Sequence, residues 1–180
     1  MGPSSVAVDP SRPFKPIRIA VLTITDTRDA STDTSGDILV ARIIAAGHQL
    51  STRAIERDDA AAVASKINTW IDERLADAII TTGGTGLTGR DVTPEALDRI
   101  KDKDIPGFGE LFRWLSYQTI GTSTVQSRAC AVVARGVYVF ALPGSNGAVK
   151  DGWDGILAEQ LDSRNRPCNF VELMPRLREV

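Results

Sequence analysis

Two glycine-containing loops carry the residues of this chain whose types and spacing could bind phosphate. The first spans residues 81–94, TTGGTGLTGRDVTP, and follows an apolar run at residues 78–80. Its residues 84–89 match G-x-G-x-x-G, the pattern of dinucleotide-binding folds. Backbone N–H groups of such a loop can surround an anion at the carboxyl end of a parallel strand. Because Thr85, Thr88, Arg90 and Asp91 lie beside the glycines, we expect an anion-binding loop, with an ordinary turn as the alternative.

The position of the next helix argues against a nicotinamide site. In that fold the helix begins inside the glycine motif, because the pyrophosphate rests on its N-terminus. Here Thr93 is typical of an N-cap and Pro94 of the first helical position, which predicts a helix that begins near Thr93. The loop also lacks the Lys-Ser/Thr ending of a P-loop. An NAD(P)-dependent oxidoreductase therefore remains an alternative supported by the glycine pattern alone.

A second loop of the same kind, PGSNGAVK at residues 143–150, follows the apolar run at residues 137–142. Two such loops at the ends of neighbouring strands could face one another, one holding phosphates and the other a second ligand. A plain strand terminator is the simpler explanation of Pro143 and Gly144.

Alternating apolar segments predict the elements that position these loops. Strands are expected at residues 17–24, 50–55, 76–82 and 137–142, and helices from Ser35 to Gly47, over residues 59–75 and from the second loop to Leu161. Strands that alternate with helices indicate an α/β fold with a mostly parallel sheet covered on both faces. Residues 110–115 look helical, whereas the rest of segment 104–136 is ambiguous. We expect a loose N-terminal arm at residues 1–16, one domain at residues 17–170 and an irregular tail at residues 171–180.

Composition narrows the class of protein. The formal net charge is −2 and no run of Lys or Arg occurs, so nucleic-acid binding is not expected. The first residues form neither a secretion signal nor a membrane anchor, and no membrane association is expected. Cys130 and Cys168 fit no metal-ligand or disulfide pattern and are expected to be reduced, as in a cytoplasmic protein.

Two aspartates are the candidate metal ligands. Mg²⁺ prefers one or two carboxylates together with water and substrate phosphates, and Asp91 and Asp58 are expected at adjacent strand ends. Helix capping is the competing explanation for both, and Asp59 is an alternative to Asp58. The only histidine, His48, follows a helix end and has no nucleophile partner in the sequence, so we expect it to be structural.

The segments TTGGTG, RDVTPEA, IPGFGE, IGTSTVQSRA and LPGS, in this order, resemble the MoaB/Mog family of molybdenum cofactor biosynthesis proteins. FRWLSYQTIGTSTVQSR and RPCNF look most like the MoaB branch. The resemblance implies a three-layer α/β/α sandwich that binds molybdopterin and, in catalytic members, adenylylates its phosphate with Mg-ATP and releases pyrophosphate. It further implies hand-over to a molybdenum insertase and a homo-oligomer, either a trimer or a hexamer. A non-catalytic molybdopterin-binding or carrier protein of the same fold is the main alternative.

Residue by residue, the resemblance gives three groups of site residues. The catalytic and metal-binding residues are Asp91 and Asp58. The nucleotide- or phosphate-binding residues are Gly83, Gly84, Thr85, Gly86, Arg90, Thr93 and Glu95. The pterin-binding residues are Glu110, Pro143, Gly144 and Ser145. Where many relatives carry Lys or another polar residue, this chain has Gly147, and Lys150 on the following helix is a possible substitute.

An aromatic segment predicts a subunit contact. Its apolar residues exceed what one helix face can bury, and they are Phe108, Phe112, Trp114, Leu115 and Tyr117.

Overall fold

The computed structural model describes residues 8–179, and its centre is one six-stranded sheet. The strands are β1 (Arg18–Ile24), β2 (Gln49–Glu56), β3 (Ala78–Thr82), β4 (Lys103–Asp104), β5 (Cys130–Ala134) and β6 (Val137–Leu142). Their order is β2-β1-β3-β6-β5-β4. The first four strands in this order are parallel to one another, whereas β5 is antiparallel to both β6 and β4. The predicted mostly parallel sheet is therefore confirmed.

Helices cover both faces of this sheet. They are α1 (Thr34–Ala45), α2 (Ala60–Asp72), α3 (Thr93–Asp98), α4 (Pro106–Ile120), α5 (Asn146–Gly152), α6 (Ala158–Gln160) and α7 (Phe170–Leu173). A 3₁₀ segment, Gly121–Gln126, follows α4, and a π-helical turn, Trp153–Leu157, joins α5 to α6. The three-layer α/β/α architecture is thereby confirmed.

The two faces of the sheet contribute to two separate apolar clusters, because successive side chains of a strand point to opposite faces. In β1, Val21 packs with α1, α4 and α5, whereas Leu22 packs with α2 and α3. Every residue of β3 and β6 is buried, as expected for strands covered on both sides. This packing fixes the carboxyl ends of β1, β3 and β6 side by side, where the two glycine loops leave the sheet.

The ambiguous segment contains the largest difference from the predicted elements. α4 is longer than the helix expected at residues 110–115, and β4 and β5 were not predicted. The hairpin between β5 and β6 turns at Arg135 and Gly136, both of which have positive φ.

The two ends of the described chain lie against each other. Val8 forms an isolated antiparallel bridge with Asn165, and the backbone N–H of Lys15 donates to Ser163 Oγ at 2.8 Å. Phe170, at the start of α7, packs against Tyr138 and contributes to the core rim. The first seven residues of the predicted arm lie outside the described residues, and the proposed domain boundaries remain a prediction. Within residues 8–179, no helix has both the length and the apolar character needed to cross a membrane.

Candidate functional site

The glycine loop leaves β3 through two residues that require glycine. Gly83 and Gly84 have φ values of 105° and 67°, which L side chains rarely adopt. A Cβ atom on Gly83 would lie 2.2 Å from the carbonyl oxygen of Ile24, and one on Gly84 would lie 2.4 Å from Thr93 Oγ1. These glycines are therefore needed for the close approach of the loop to β1 and α3.

Thr93 holds the start of the loop from inside the protein. Its hydroxyl donates to the carbonyl oxygen of Gly83 at 2.8 Å, its N–H donates to that of Gly84 at 2.9 Å, and its side chain is fully buried. The N-cap of α3 is Val92, so Thr93 and Pro94 occupy the first two helical positions, and the helix begins one residue earlier than predicted. Thr93 was predicted to bind nucleotide or phosphate. In the structure its hydroxyl is buried and bonded to the loop backbone, so Thr93 supports the loop.

Arg128, which was not predicted from the sequence, holds the rest of the loop together. Its Nε donates to the carbonyl oxygen of Gly86 at 2.7 Å, and its Nη2 donates to that of Asp91 at 2.7 Å. The same guanidinium pairs with the carboxylate of Glu95 and lowers the pKa of that group. Glu95, expected to contact nucleotide, thus has a protein partner in this structure.

Asp91 is bonded within its own loop. Its Oδ2 accepts from the Thr88 N–H at 2.8 Å and from the Thr88 hydroxyl at 2.7 Å. Partial burial opposes the charged form, but the hydrogen bonds from Thr88 and Gly86 and the positive charge of Arg128 together outweigh it and lower the pKa of Asp91. The competing explanation of Asp91 as a loop carboxylate is thus supported, while the carboxylate still acts electrostatically on Asp58.

The structure separates Asp58 from Asp59. Asp59 is the N-cap of α2, where its Oδ1 accepts from the Ala62 N–H at 2.8 Å. Asp58 faces Asp26 at the end of β1, and each backbone N–H donates to the other carboxylate, at 3.0 Å and 3.2 Å. Burial and the negative charge of Asp26 raise the pKa of Asp58. Capping therefore explains Asp59 and leaves Asp58 and Asp26 as paired carboxylates.

The carboxylate pair lies next to the glycine loop. A Cβ atom on Gly84 would be 3.5 Å from Asp58 Oδ1. Arg90 extends from the loop to the same place, with its Nη1 3.9 Å from Asp26 Oδ2 and its side chain 75% exposed. The carboxyl edge of the sheet thus brings together the backbone of the glycine loop, the carboxylates of Asp26 and Asp58 and the accessible guanidinium of Arg90.

This donor set fits Mg²⁺ only in part. Within residues 8–179, no group of three or more His, Cys, Asp or Glu side chains is arranged to hold a metal ion. Mg²⁺ is nevertheless commonly bound through one or two carboxylates, with water and substrate phosphates as the remaining ligands. Asp26 and Asp58 can supply such a pair.

The second loop faces the first, as its position in the sequence suggested. A Cβ atom on Gly144 would be 3.3 Å from the Cα of Gly83. The carbonyl oxygen of Gly144 accepts from Arg28 Nη1 at 3.0 Å, and the carbonyl oxygen of Pro143 accepts from the Thr82 hydroxyl. Ser145 is the N-cap of α5. Hydrogen bonds from side chains to backbone carbonyl groups thus hold the second loop at the carboxyl edge of the sheet.

A cavity of about 310 Å³ opens between these loops, α4, the 3₁₀ segment and α5. Its apolar wall includes Phe112 and Ile120, and its base includes Thr85, Gly86 and Pro143. A volume of this size is at the lower end of the range for small-molecule sites.

The predicted pterin-binding residues are not all brought together. Pro143 and Ser145 line the cavity, whereas Glu110 is exposed on α4 and does not. Gly147 also lines the cavity, and a Cβ atom there would contact nothing within 4 Å. Lys150 is exposed and outside the lining, so it does not replace the side chain absent at position 147.

The comparison with known proteins identifies the family. Residues 20–163 match the family described as "Probable molybdopterin binding domain". The chain belongs to the MoaB/Mog family of molybdenum cofactor biosynthesis proteins. The Molybdenum cofactor biosynthesis protein B of Escherichia coli strain K12 is 46% identical over 160 residues, which cover 89% of this chain and 94% of that protein.

Solved structures of family members share the fold. A structure titled "Crystal structure of Molybdenum cofactor biosynthesis protein B" is 36% identical, with a TM-score of 0.82, and covers 91% of this chain and 96% of the other. The tungsten cofactor synthesizing protein MoaB from Pyrococcus furiosus is also 36% identical, with a TM-score of 0.72 and coverages of 81% and 92%. The MoaB/Mog fold expected from the motifs is thus confirmed.

Three residues of the candidate site were not predicted from the sequence. Asp26 lies two residues after the end of β1, so its position at the carboxyl end of a buried strand was a usable signal. Arg28, two residues later, and Arg128, before β5, gave no signal, because the loop carbonyl groups to which they donate are distant in sequence.

Proposed function

We propose that this protein binds molybdopterin and adenylylates its phosphate with Mg-ATP. A phosphate oxygen of the pterin attacks the α-phosphorus of ATP, the bond to the β-phosphate oxygen breaks, and pyrophosphate leaves. The observation that carries the proposal is the contact of the two glycine loops. The cavity between them is lined by Gly86, and the carboxylate of Asp58 lies beside Gly84 of the same loop, so the proposed pterin site and the carboxylates are adjacent.

The chain's own contribution is positioning and charge. The pterin phosphate is anionic near neutral pH, so the reaction needs no side-chain nucleophile. Gly83 to Gly86 provide a backbone surface for phosphate, Arg90 provides an accessible positive charge, and Thr93 and Glu95 support the loop indirectly. Bound Mg²⁺ would neutralise charge on the triphosphate. Asp58, with Asp26 and with Asp91 nearby, is proposed to hold that ion.

A carrier without catalytic activity is the second candidate. It is favoured by one observation, the carboxylate of Asp91, whose Oδ2 already accepts two hydrogen bonds from Thr88. A carboxylate oxygen that already accepts hydrogen bonds from its own loop is a weaker metal ligand than one without such partners. In both cases the ligand is the same pterin, and hand-over to a molybdenum insertase would follow.

We also propose a homo-oligomer, either a trimer or a hexamer. Phe108 and Phe112 are in the core, but other large apolar side chains of α4 and the following turn remain exposed. These are Leu111, Trp114, Tyr117, Ile120 and Val125. Burial of this surface against a second copy would remove it from water.

The variant Asp58→Asn tests the enzyme proposal, with Asp59→Asn as its matched control. Asn at position 59 still caps α2 and should leave turnover unchanged. Loss of the Asp58 charge should lower turnover by about 100-fold or more, roughly 3 kcal/mol of barrier, while pterin binding is retained. Equal turnover in the two variants would remove Asp58 from the mechanism.

A further inference from the structure

Among residues 8–179, Asp151 is the only charged side chain that lines the cavity proposed to bind the pterin. It lies on α5, four residues after Gly147, so both face the cavity from adjacent turns of the helix. The rest of the lining is apolar or neutral, with hydroxyl groups from Ser116, Thr119 and Thr124 among the polar atoms. A single negative charge in such surroundings will strongly influence which part of a ligand lies beside it.

The carboxylate of Asp151 has no partner among residues 8–179. No hydrogen bond or ion pair to it is formed there, whereas Asp154, in the π-helical turn that follows α5, is paired with Arg42 of α1 at 2.8 Å. Partial burial and the negative charge of Asp154 raise the pKa of Asp151. An unpaired, partly desolvated carboxylate costs free energy that a ligand with suitable donors can recover.

We propose that Asp151 recognises the 2-amino-4-oxo edge of the pterin ring and so determines the specificity of the cavity. This inference rests on the proposed function. The 2-amino group and the adjacent ring N3–H are parallel donors, and a carboxylate can accept both at once, as it does from an arginine fork. Hydrogen bonds to a charged acceptor are shorter and stronger than those between neutral groups.

The same charge orients the ligand. The phosphate of molybdopterin is repelled by Asp151, so it lies at the other end of the cavity, beside Thr85 and Gly86 of the glycine loop. Asp151 binds the ring, and the loop binds the phosphate that reacts. Gly147 leaves open space on the same helix face, which allows the ring to approach Asp151 without a side chain between them.

Two phosphate-free probes test the proposal on the whole protein. One is 6-hydroxymethylpterin, and the other is 6-hydroxymethyllumazine, in which a carbonyl oxygen replaces the 2-amino group. Wild-type protein should bind the pterin about tenfold or more tightly than the lumazine, measured by fluorescence titration. In Asp151→Asn the ratio should fall to about one or reverse, because the amide N–H₂ suits the lumazine carbonyl.

The matched control is Asp154→Asn, which removes a carboxylate from the same stretch of helix outside the cavity. It should keep the wild-type ratio. An unchanged ratio in Asp151→Asn, or a wild-type protein that does not bind the pterin probe, would overturn the proposal. A protein that shows the Asp151-dependent preference but forms no adenylylated product would refute only the proposed enzyme activity. Conversely, an active enzyme with an unchanged ratio in Asp151→Asn would refute only the role of Asp151.

Discussion

The Arg128 guanidinium is paired with the Glu95 carboxylate, and in this position it donates to the carbonyl oxygens of Gly86 and Asp91. One side chain thus joins both ends of the exposed part of the glycine loop to α3. Arg128 is itself fixed by its backbone, whose N–H donates to the Thr85 carbonyl at 2.8 Å.

The variant Arg128→Lys should therefore distort the glycine loop, although it retains the positive charge. An ammonium cannot reproduce the planar fork that reaches Gly86, Asp91 and Glu95 together. We expect kcat/KM for adenylylation to fall by about 10- to 100-fold, which is roughly 1.4–3 kcal/mol. Steady-state kinetics would measure this loss, with Arg135→Lys at the opposite edge of the sheet as control. Equal kinetics in the two variants would show that adenylylation does not depend on the contacts of Arg128 with the glycine loop.

Gly84→Ala should strain the loop directly. Alanine at φ 67° costs about 1–2 kcal/mol, and its Cβ would lie 2.4 Å from Thr93 Oγ1, so further distortion is expected. Chemical unfolding should show lower stability, and activity should fall with it. Gly89→Ala is the control, because a Cβ there contacts nothing within 4 Å. A Gly84→Ala protein as stable and active as Gly89→Ala would contradict the observed loop conformation.

His48 should make unfolding sensitive to acid. It is buried between Phe14 and Trp153, and its Nδ1 accepts from the Ile17 N–H, so it has the structural role expected from the sequence. Burial lowers its pKa below the model-peptide value of 6.5. A lowered folded-state pKa means that this contribution to stability is present above about pH 6.5 and is lost as the pH falls through the folded pKa.

His48→Asn should consequently reduce the pH dependence of the free energy of unfolding below about pH 6.5. Urea unfolding at a series of pH values and one protein concentration would measure it. Because the chain has one histidine, no other imidazole contributes. Identical slopes for wild type and variant would show that His48 titrates normally.

Trp114→Glu tests the proposed subunit surface. Trp114 is 59% exposed in the single chain, as is Ile44 on α1, so Ile44→Glu is a control of equal exposure outside the surface. Sedimentation should give an oligomer for wild type and Ile44→Glu and smaller species for Trp114→Glu. A wild type that is monomeric at every concentration would refute the oligomer.

The strands and helices of the parallel part of the sheet were predictable from the sequence, as was the edge at which the two glycine loops leave it. Fully buried strands such as β3 and β6 give continuous apolar runs, and ligands bind at the carboxyl ends of parallel strands. The strand β5 was missed because five apolar residues fit a strand or a buried helix equally well. The Arg135-Gly136 turn between two apolar runs was the available signal for its hairpin.

Contacts between distant segments were not predictable. The pairing of Asp58 with Asp26, and of Arg128 with the glycine loop, depends on the relative position of strands and loops that sequence spacing does not contain. The distinction between Asp58 and Asp59 likewise required the helix start, because either aspartate could cap the helix.

The most direct test of the proposed function is to incubate the purified protein with freshly released molybdopterin, ATP and Mg²⁺. Chromatography would detect adenylylated pterin, and a coupled assay would measure pyrophosphate. We predict equal amounts of both products, and neither of them when Mg²⁺ is omitted. Tight binding of the pterin without any adenylylated product would contradict the enzyme proposal and identify the protein as a carrier.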